Sequence, residues 1–174
     1  VKYIGEKSFG DCILLEYISI PHLERCEGAA VFKGCESLKT ISFPFIKSIG
    51  LMAFQDCTSL CSISFEKVET IEKQAFLGCT SLTSIHIPNV KNIGRIAFQN
   101  SNITNIYLPK LQTIGEMAFM NSFANVEIGE NIDTIGYYAF GNAEYITIKN
   151  KEIPVIYPAS GNIATSNGNL FMEG

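Results

Sequence analysis

Residues 49–65 read Ile-Gly-Leu-Met-Ala-Phe-Gln-Asp-Cys-Thr-Ser-Leu-Cys-Ser-Ile-Ser-Phe, and residues 71–87 answer with Ile-Glu-Lys-Gln-Ala-Phe-Leu-Gly-Cys-Thr-Ser-Leu-Thr-Ser-Ile-His-Ile. Working outward from this pair, the same phrase returns along most of the chain. Phe stands at 9, 32, 54, 76, 98, 119 and 140, at spacings of 23, 22, 22, 22, 21 and 21. Self-similarity at a fixed period of this length is the mark of a solenoid, in which each unit buries its apolar face only against its neighbours.

Each part of the phrase has a physical reading. The Ile-x-Phe or Ile-x-Ile run alternates with period two, as a strand with one buried face does. Pro21, Pro44, Pro88 and Pro109 close several of these runs; Pro has no amide to donate and suits a strand end. The Ala-Phe phrase is too short for a full helix and predicts a turn of α or 3₁₀ helix. Two residues past each Phe come Asp11, Gly34, Asp56, Gly78, Asn100, Asn121 and Asn142. These are the residue types that tolerate the left-handed backbone of a turn. Strands from successive units then form a parallel sheet with ~4.8 Å per unit.

From each Phe to the last apolar residue of the next strand takes eleven residues in the first four units, then ten, nine and eight. The units tighten toward the C-terminus. One domain is expected over 1–174, with repeats over about 3–150 and a cap and tail over about 151–174. Val155-Ile156-Tyr157-Pro158 echoes Ile106-Tyr107-Leu108-Pro109. The opening at Val1, mid-phrase and without Met, reads as a piece of something longer.

Composition narrows the function. The chain has 174 residues, is 47% apolar and 17% charged, and carries a formal net charge of −4. It is too apolar for disorder and has no apolar run long enough to span a membrane as a helix. Lys and Arg form no continuous stripe, which argues against nucleic acid. Cys12, Cys35, Cys57 and Cys79 recur at the repeat spacing. Structural zinc sites pair cysteines two to four residues apart, whereas these four stand 22 or 23 apart. The equivalent later positions hold Ser101, Ser122 and Ala143, so the slot calls for something small, and a ladder of buried thiols is expected rather than a metal site. Cys61 falls on an outward strand position.

These units resemble the BspA-like leucine-rich repeat, whose pattern is C-x-x-L-x-x-I-x-L-P-x-x-L-x-x-I-G-x-x-A-F-x-x-C; Cys35 through Cys57 and Cys57 through Cys79 follow it almost throughout. The likeness covers roughly residues 3–150. It departs at Glu27, where the other units place Ile; Cys26 is expected to take the buried slot and Glu27 to bulge outward. Pro is replaced by Glu66 and Gly129. The resemblance implies a right-handed leucine-rich-repeat solenoid with one strand per unit and short helical turns opposite. Family members are mostly surface or secreted proteins of host-associated anaerobic bacteria, some of them adhesins. It therefore implies an extracellular or cell-surface module that binds a protein or glycan, with no cofactor and no shared catalytic residues. The alternative is an architectural spacer array in a larger surface protein.

On such a solenoid the sheet face is the extended binding surface. Its outward positions are Ser19, Ser42, Ser64, His86, Tyr107, Glu127 and Thr147, flanked by Tyr17, Thr40, Ser62, Ser84 and Asn105. The first half is small and hydroxyl-rich. From His86 onward the side chains grow, so His86, Tyr107 and Glu127 are the candidate contacts, with Ser64 and Ser42 beside them. A His and a carboxylate can do acid–base work, but a flat sheet offers no closed pocket and no nucleophile held by a base. Phe45, which follows Pro44, is a second exposed candidate contact. Leu51, Met52, Ile96, Met117, Tyr137 and Tyr138 sit on the convex side; of these, Met52, Ile96 and Met117 are expected to be half-buried.

Overall fold

The computed structural model describes residues 1–122, 125–143, 145–149, 155–156 and 169–172, with backbone alone for Tyr145 and the last two segments. The chain winds as a stack of coils. Each full coil carries two strands where the pattern predicted one. The longer strands are β1 (Tyr17–Ser19), β2 (Thr40–Ser42), β4 (Ser62–Ser64), β6 (Ser84–His86), β8 (Asn105–Leu108), β10 (Asn125–Ile128), β12 (Tyr145–Ile148) and β14 (Asn169–Met172). The shorter ones are β3 (Ser48–Ile49), β5 (Thr70–Ile71), β7 (Asn92–Ile93), β9 (Thr113–Ile114), β11 (Thr134–Ile135) and β13 (Val155–Ile156). All pairings are parallel and in register from coil to coil. Two six-stranded sheets result, with β1 and β2 forming a separate pair. The second sheet escapes the sequence because a two-residue strand shows no alternation.

Between the two sheets lies the core. Seven Phe rings stack face to face down its length, from Phe9 on Phe32 (5.1 Å) through Phe76 on Phe98 (5.1 Å) to Phe119 on Phe140 (5.9 Å). Offset ring stacking adds to the apolar area each ring buries. Cys26 is fully buried and bridges Ile49 in parallel, so it fills the Ile slot, and Glu27 is exposed, as expected.

The Ala-Phe phrase is where the helical expectation fails: no helix occurs among the described residues. Two left-handed residues four apart replace it, as in Met52 (φ 53) and Asp56 (φ 59) or Met117 (φ 55) and Asn121 (φ 62). The second of each pair is the predicted Asp, Gly or Asn, and all seven have positive φ. Hydrogen bonding explains the choice. The amides of Ala53, Gln55 and Cys57 close turns onto the carbonyls of Gly50, Met52 and Phe54 in their own coil. The alternate amides of Met52, Phe54 and Asp56 donate to Lys73, Ala75 and Leu77 of the next coil. A helix would spend every amide within its own coil and leave none for the neighbour. Non-glycine residues with positive φ are strained by about 1–2 kcal/mol each, which the cross-coil bonds offset.

Backbone proximity fixes the Ile-Gly step. A Cβ on Gly115 would sit 2.4 Å from the Arg95 amide nitrogen, so adjacent coils touch there without room for a side chain.

Most of the predicted cap and tail lies outside the described residues. Its described parts, β13 and β14, continue the stack. Val155–Ile156 pair with Thr134–Ile135 in the short-strand sheet, not in the long-strand position that the echo of Ile106–Tyr107 suggested; β14 pairs with β12 instead.

The thiol ladder is present from Cys35 to Cys79, with Cys35, Cys57 and Cys79 buried. Each donates to the Phe carbonyl one coil back: Cys35 to Phe9 (3.1 Å), Cys57 to Phe32 (3.2 Å) and Cys79 to Phe54 (3.1 Å). Cys12 breaks the expectation and is exposed, because no described coil stacks on its outer side. Cys61 is exposed as its outward position requires. Desolvation pushes the Cys26 and Cys79 thiols up to about 12 and Cys35 up to about 11, and raises Cys57 as well.

Candidate functional site

The long-strand sheet turns alternate residues outward. Its register sets them side by side: Ser19 beside Ser42, Ser64 beside His86, and Glu127 between Tyr107 and Thr147. The pairing of Ser84 with Asn105 places His86 beside Tyr107. Ser42, Ser64, His86 and Tyr107 are exposed, Tyr107 to 55%. The buried partners Ile63, Ile85, Ile106 and Val126 hold the face flat from beneath.

The three large residues are neighbours in register but do not act as one group. His86 Nε2 lies 3.1 Å from Glu66 Oε1, leaning off the face toward the turn. Glu127 instead meets Lys149, whose Nζ is 2.5 Å from Glu127 Oε1 and 6.0 Å from the centre of the Tyr107 ring. Tyr107, Glu127 and Lys149 thus form an aromatic–carboxylate–ammonium cluster. Beside it a shallow hollow of about 440 Å³ is lined by Asn105, Asn125, Thr147, Tyr107 and Glu127. An exposed ion pair is worth at most about 1 kcal/mol, so these side chains can exchange partners at little cost.

Sequence reasoning missed Lys149 and Glu66. Both follow the last buried residue of a strand, where most units carry Pro. A long side chain at that point reaches back over the face, and alternation says nothing about it. The chemistry on offer is recognition: stacking, one anion and one cation. Among the described residues no three His, Cys, Asp or Glu side chains gather as a metal would require. Nor is any described helix long and apolar enough to cross a membrane.

Phe45 is exposed to 44%, as its place after Pro44 predicts. His22 stacks on it at 6.5 Å, and Lys67 Nζ sits 4.3 Å from its ring centre. On the convex side Ile96 is buried, and Leu51, Met52, Met117, Tyr137 and Tyr138 are half-buried.

Comparison with known proteins agrees with this architecture. A leucine rich repeat protein from T. pallidum, known by crystal structure, superposes with a TM-score of 0.69 at 25% identity, covering 79% of this chain and 66% of that one. A leucine rich cell surface protein from Faecalibacterium prausnitzii A2-165 gives 0.57 at 18% identity, covering 90% of this chain and 61% of that one, a likeness of fold alone. The chain therefore spans 66% and 61% of the lengths of these two proteins. No curated protein matches the sequence significantly. The family described as the BspA type leucine rich repeat region matches residues 1–101 and 65–158, with six copies. With its 22-residue phrase wound into stacked parallel coils, this chain belongs to the BspA type leucine rich repeat family.

Proposed function

We propose that this chain is a non-enzymatic adhesion module, displayed on a cell surface or secreted, that binds a protein or glycan through the outer face of its long-strand sheet. The observation that carries this reading is the cluster of Tyr107, Glu127 and Lys149 beside an open hollow on a flat, exposed sheet. Recognition surfaces concentrate their binding energy in a few residues, with Tyr among the enriched types. Family membership supports an interaction role, and the F. prausnitzii relative is described as a cell surface protein. Catalysis fits poorly, because His86 and Glu127 are held by different partners on an open face.

The test is saturable binding of the purified chain to immobilised extracellular-matrix proteins and surface glycans. A Tyr107→Ser/Glu127→Ser/Lys149→Ser variant should lose about tenfold or more in affinity for the ligand found. Its melting temperature should barely move, since all three side chains lie on the surface. A ligand bound equally by both proteins would refute the sheet-face site. No ligand at all would move the reading to a spacer array.

A further inference from the structure

The turns that join the long strands to the short ones form a second surface along one edge of the stack. It meets the outer sheet face at Glu66, which holds His86. Lys2, Lys47 and Lys67 line one hollow there, of about 440 Å³, together with His22, Glu24 and Phe45. Lys47 and Lys67 also line the next, of about 330 Å³, with Lys91, Lys110 and the carboxylates of Glu66 and Glu69. The two hollows are thus continuous across several coils.

Charge pairing on this edge does not close. Glu24 is taken by Lys2 at 2.9 Å, Glu69 by Lys91 at 2.8 Å, and Glu66 faces His86 at 3.1 Å. Lys67 lies over the Phe45 ring, and Lys110 donates to the Asn89 side-chain oxygen at 2.6 Å. Lys47, Lys67 and Lys110 therefore have no carboxylate within 4.0 Å among the described residues. That leaves a local positive excess on a chain whose net charge is −4. In the first hollow stands a partly exposed aromatic ring, Phe45. Coils repeat every 5.0 to 5.2 Å along the middle of the stack, about the length of one pyranose ring.

From this we propose that the turn edge binds a linear acidic polysaccharide, with its carboxylate or sulfate groups on Lys47, Lys67 and Lys110 and the apolar side of one sugar against the exposed rim of Phe45, whose faces meet His22 and Lys67. Cations without a carboxylate partner supply attraction to an anion, the exposed rim of an aromatic ring suits the apolar side of a sugar, and the coil step matches the sugar repeat. A lipid headgroup or a nucleic-acid backbone would share the charge but not the need for a single ring at this place.

The experiment titrates the chain with a heparin oligosaccharide by calorimetry at low and physiological salt. The account expects binding that weakens with salt. Lys47→Gln/Lys67→Gln should weaken it about tenfold or more, and Phe45→Ser by several-fold, with melting temperatures unchanged. The sheet-face variant Tyr107→Ser/Glu127→Ser/Lys149→Ser, which leaves the His86–Glu66 pair intact, should bind the oligosaccharide as the unaltered chain does, so that failure of one site is distinguishable from failure of the other. Absence of heparin binding would overturn the proposal, as would binding indifferent to both edge variants. Equal or tighter binding to phosphatidylserine vesicles or to duplex DNA would overturn the polysaccharide assignment.

Discussion

In the coils of Phe32, Phe54 and Phe76 the slot three residues past the ring holds a thiol that donates to the preceding coil. In the coils of Phe98 and Phe119 the same slot holds Ser101 and Ser122, whose hydroxyls donate to the Phe carbonyl of their own coil. The cross-coil link has moved elsewhere. Asn121 donates to Asn100 at 2.9 Å and Asn142 to Asn121 at 2.7 Å, an amide ladder down the turns. Earlier coils cannot build that ladder, because Asp and Gly alternate there: a Cβ on Gly34 would meet Asp11 Oδ1 at 2.3 Å, and one on Gly78 would meet Asp56 Oδ1 at 2.6 Å. Strands change too, from three residues through β6 to four in β8, β10 and β12. The shortened connections of the later coils thus coincide with longer pairing. The comparison teaches that one backbone path tolerates two different sets of polar links, provided that the stacked Phe rings are kept.

The largest effect should therefore fall on the rings and be alike in both halves. Phe76→Ala and Phe119→Ala are each expected to cost about 3–5 kcal/mol in denaturant unfolding. A much smaller loss at Phe119 would mean that the later coils rest on their amides instead.

Alkaline pH should separate the halves. Burial raises the thiol pKa values of Cys26, Cys35, Cys57 and Cys79 above the ordinary 9.0. A group whose folded pKa is raised contributes its stability fully below the unfolded pKa and loses it as pH climbs toward the folded value. Stability should drain away from about pH 9 toward pH 12. A Cys26→Ala/Cys35→Ser/Cys57→Ser/Cys79→Ser variant should show a shallower alkaline loss, whatever its stability at neutral pH. An identical slope would contradict the thiol account.

Thiol titration sharpens the same point. In the native chain Cys12 and Cys61 should react with a disulfide reagent, and the four buried thiols only after unfolding. The smallest effect is expected from exchanging the slot residues. Cys57→Ser and Ser101→Cys should each shift stability by about 1 kcal/mol, because each slot already accommodates a small donor.

The periodic features were legible because they repeat seven times. The Phe stack, the outward register and the left-handed Asp, Gly and Asn positions all follow from spacing plus residue type. Less legible were the left-handed residues two before each Phe. Met52, Gln74, Ile96, Met117 and Tyr138 share no chemistry, and Ile96 at φ 61 is a β-branched residue held there by the hydrogen bond its amide donates to the Glu116 carbonyl. That conformation is imposed by the neighbouring coil and not by the residue. Of the candidate site, the positions of His86, Tyr107 and Glu127 were readable, whereas the partners that divide them, Glu66 and Lys149, were not.

The two halves of the outer face offer the most direct test of the binding account. Two variants are compared for affinity to the ligand identified for the unaltered chain. His86→Ser/Tyr107→Ser/Glu127→Ser gives the later face the character of the earlier one, and Ser42→Glu/Ser64→Glu alters the earlier face alone. The account predicts that the first variant loses about tenfold or more in affinity while the second keeps it. Binding that survives the first change, or is lost only with the second, would contradict it.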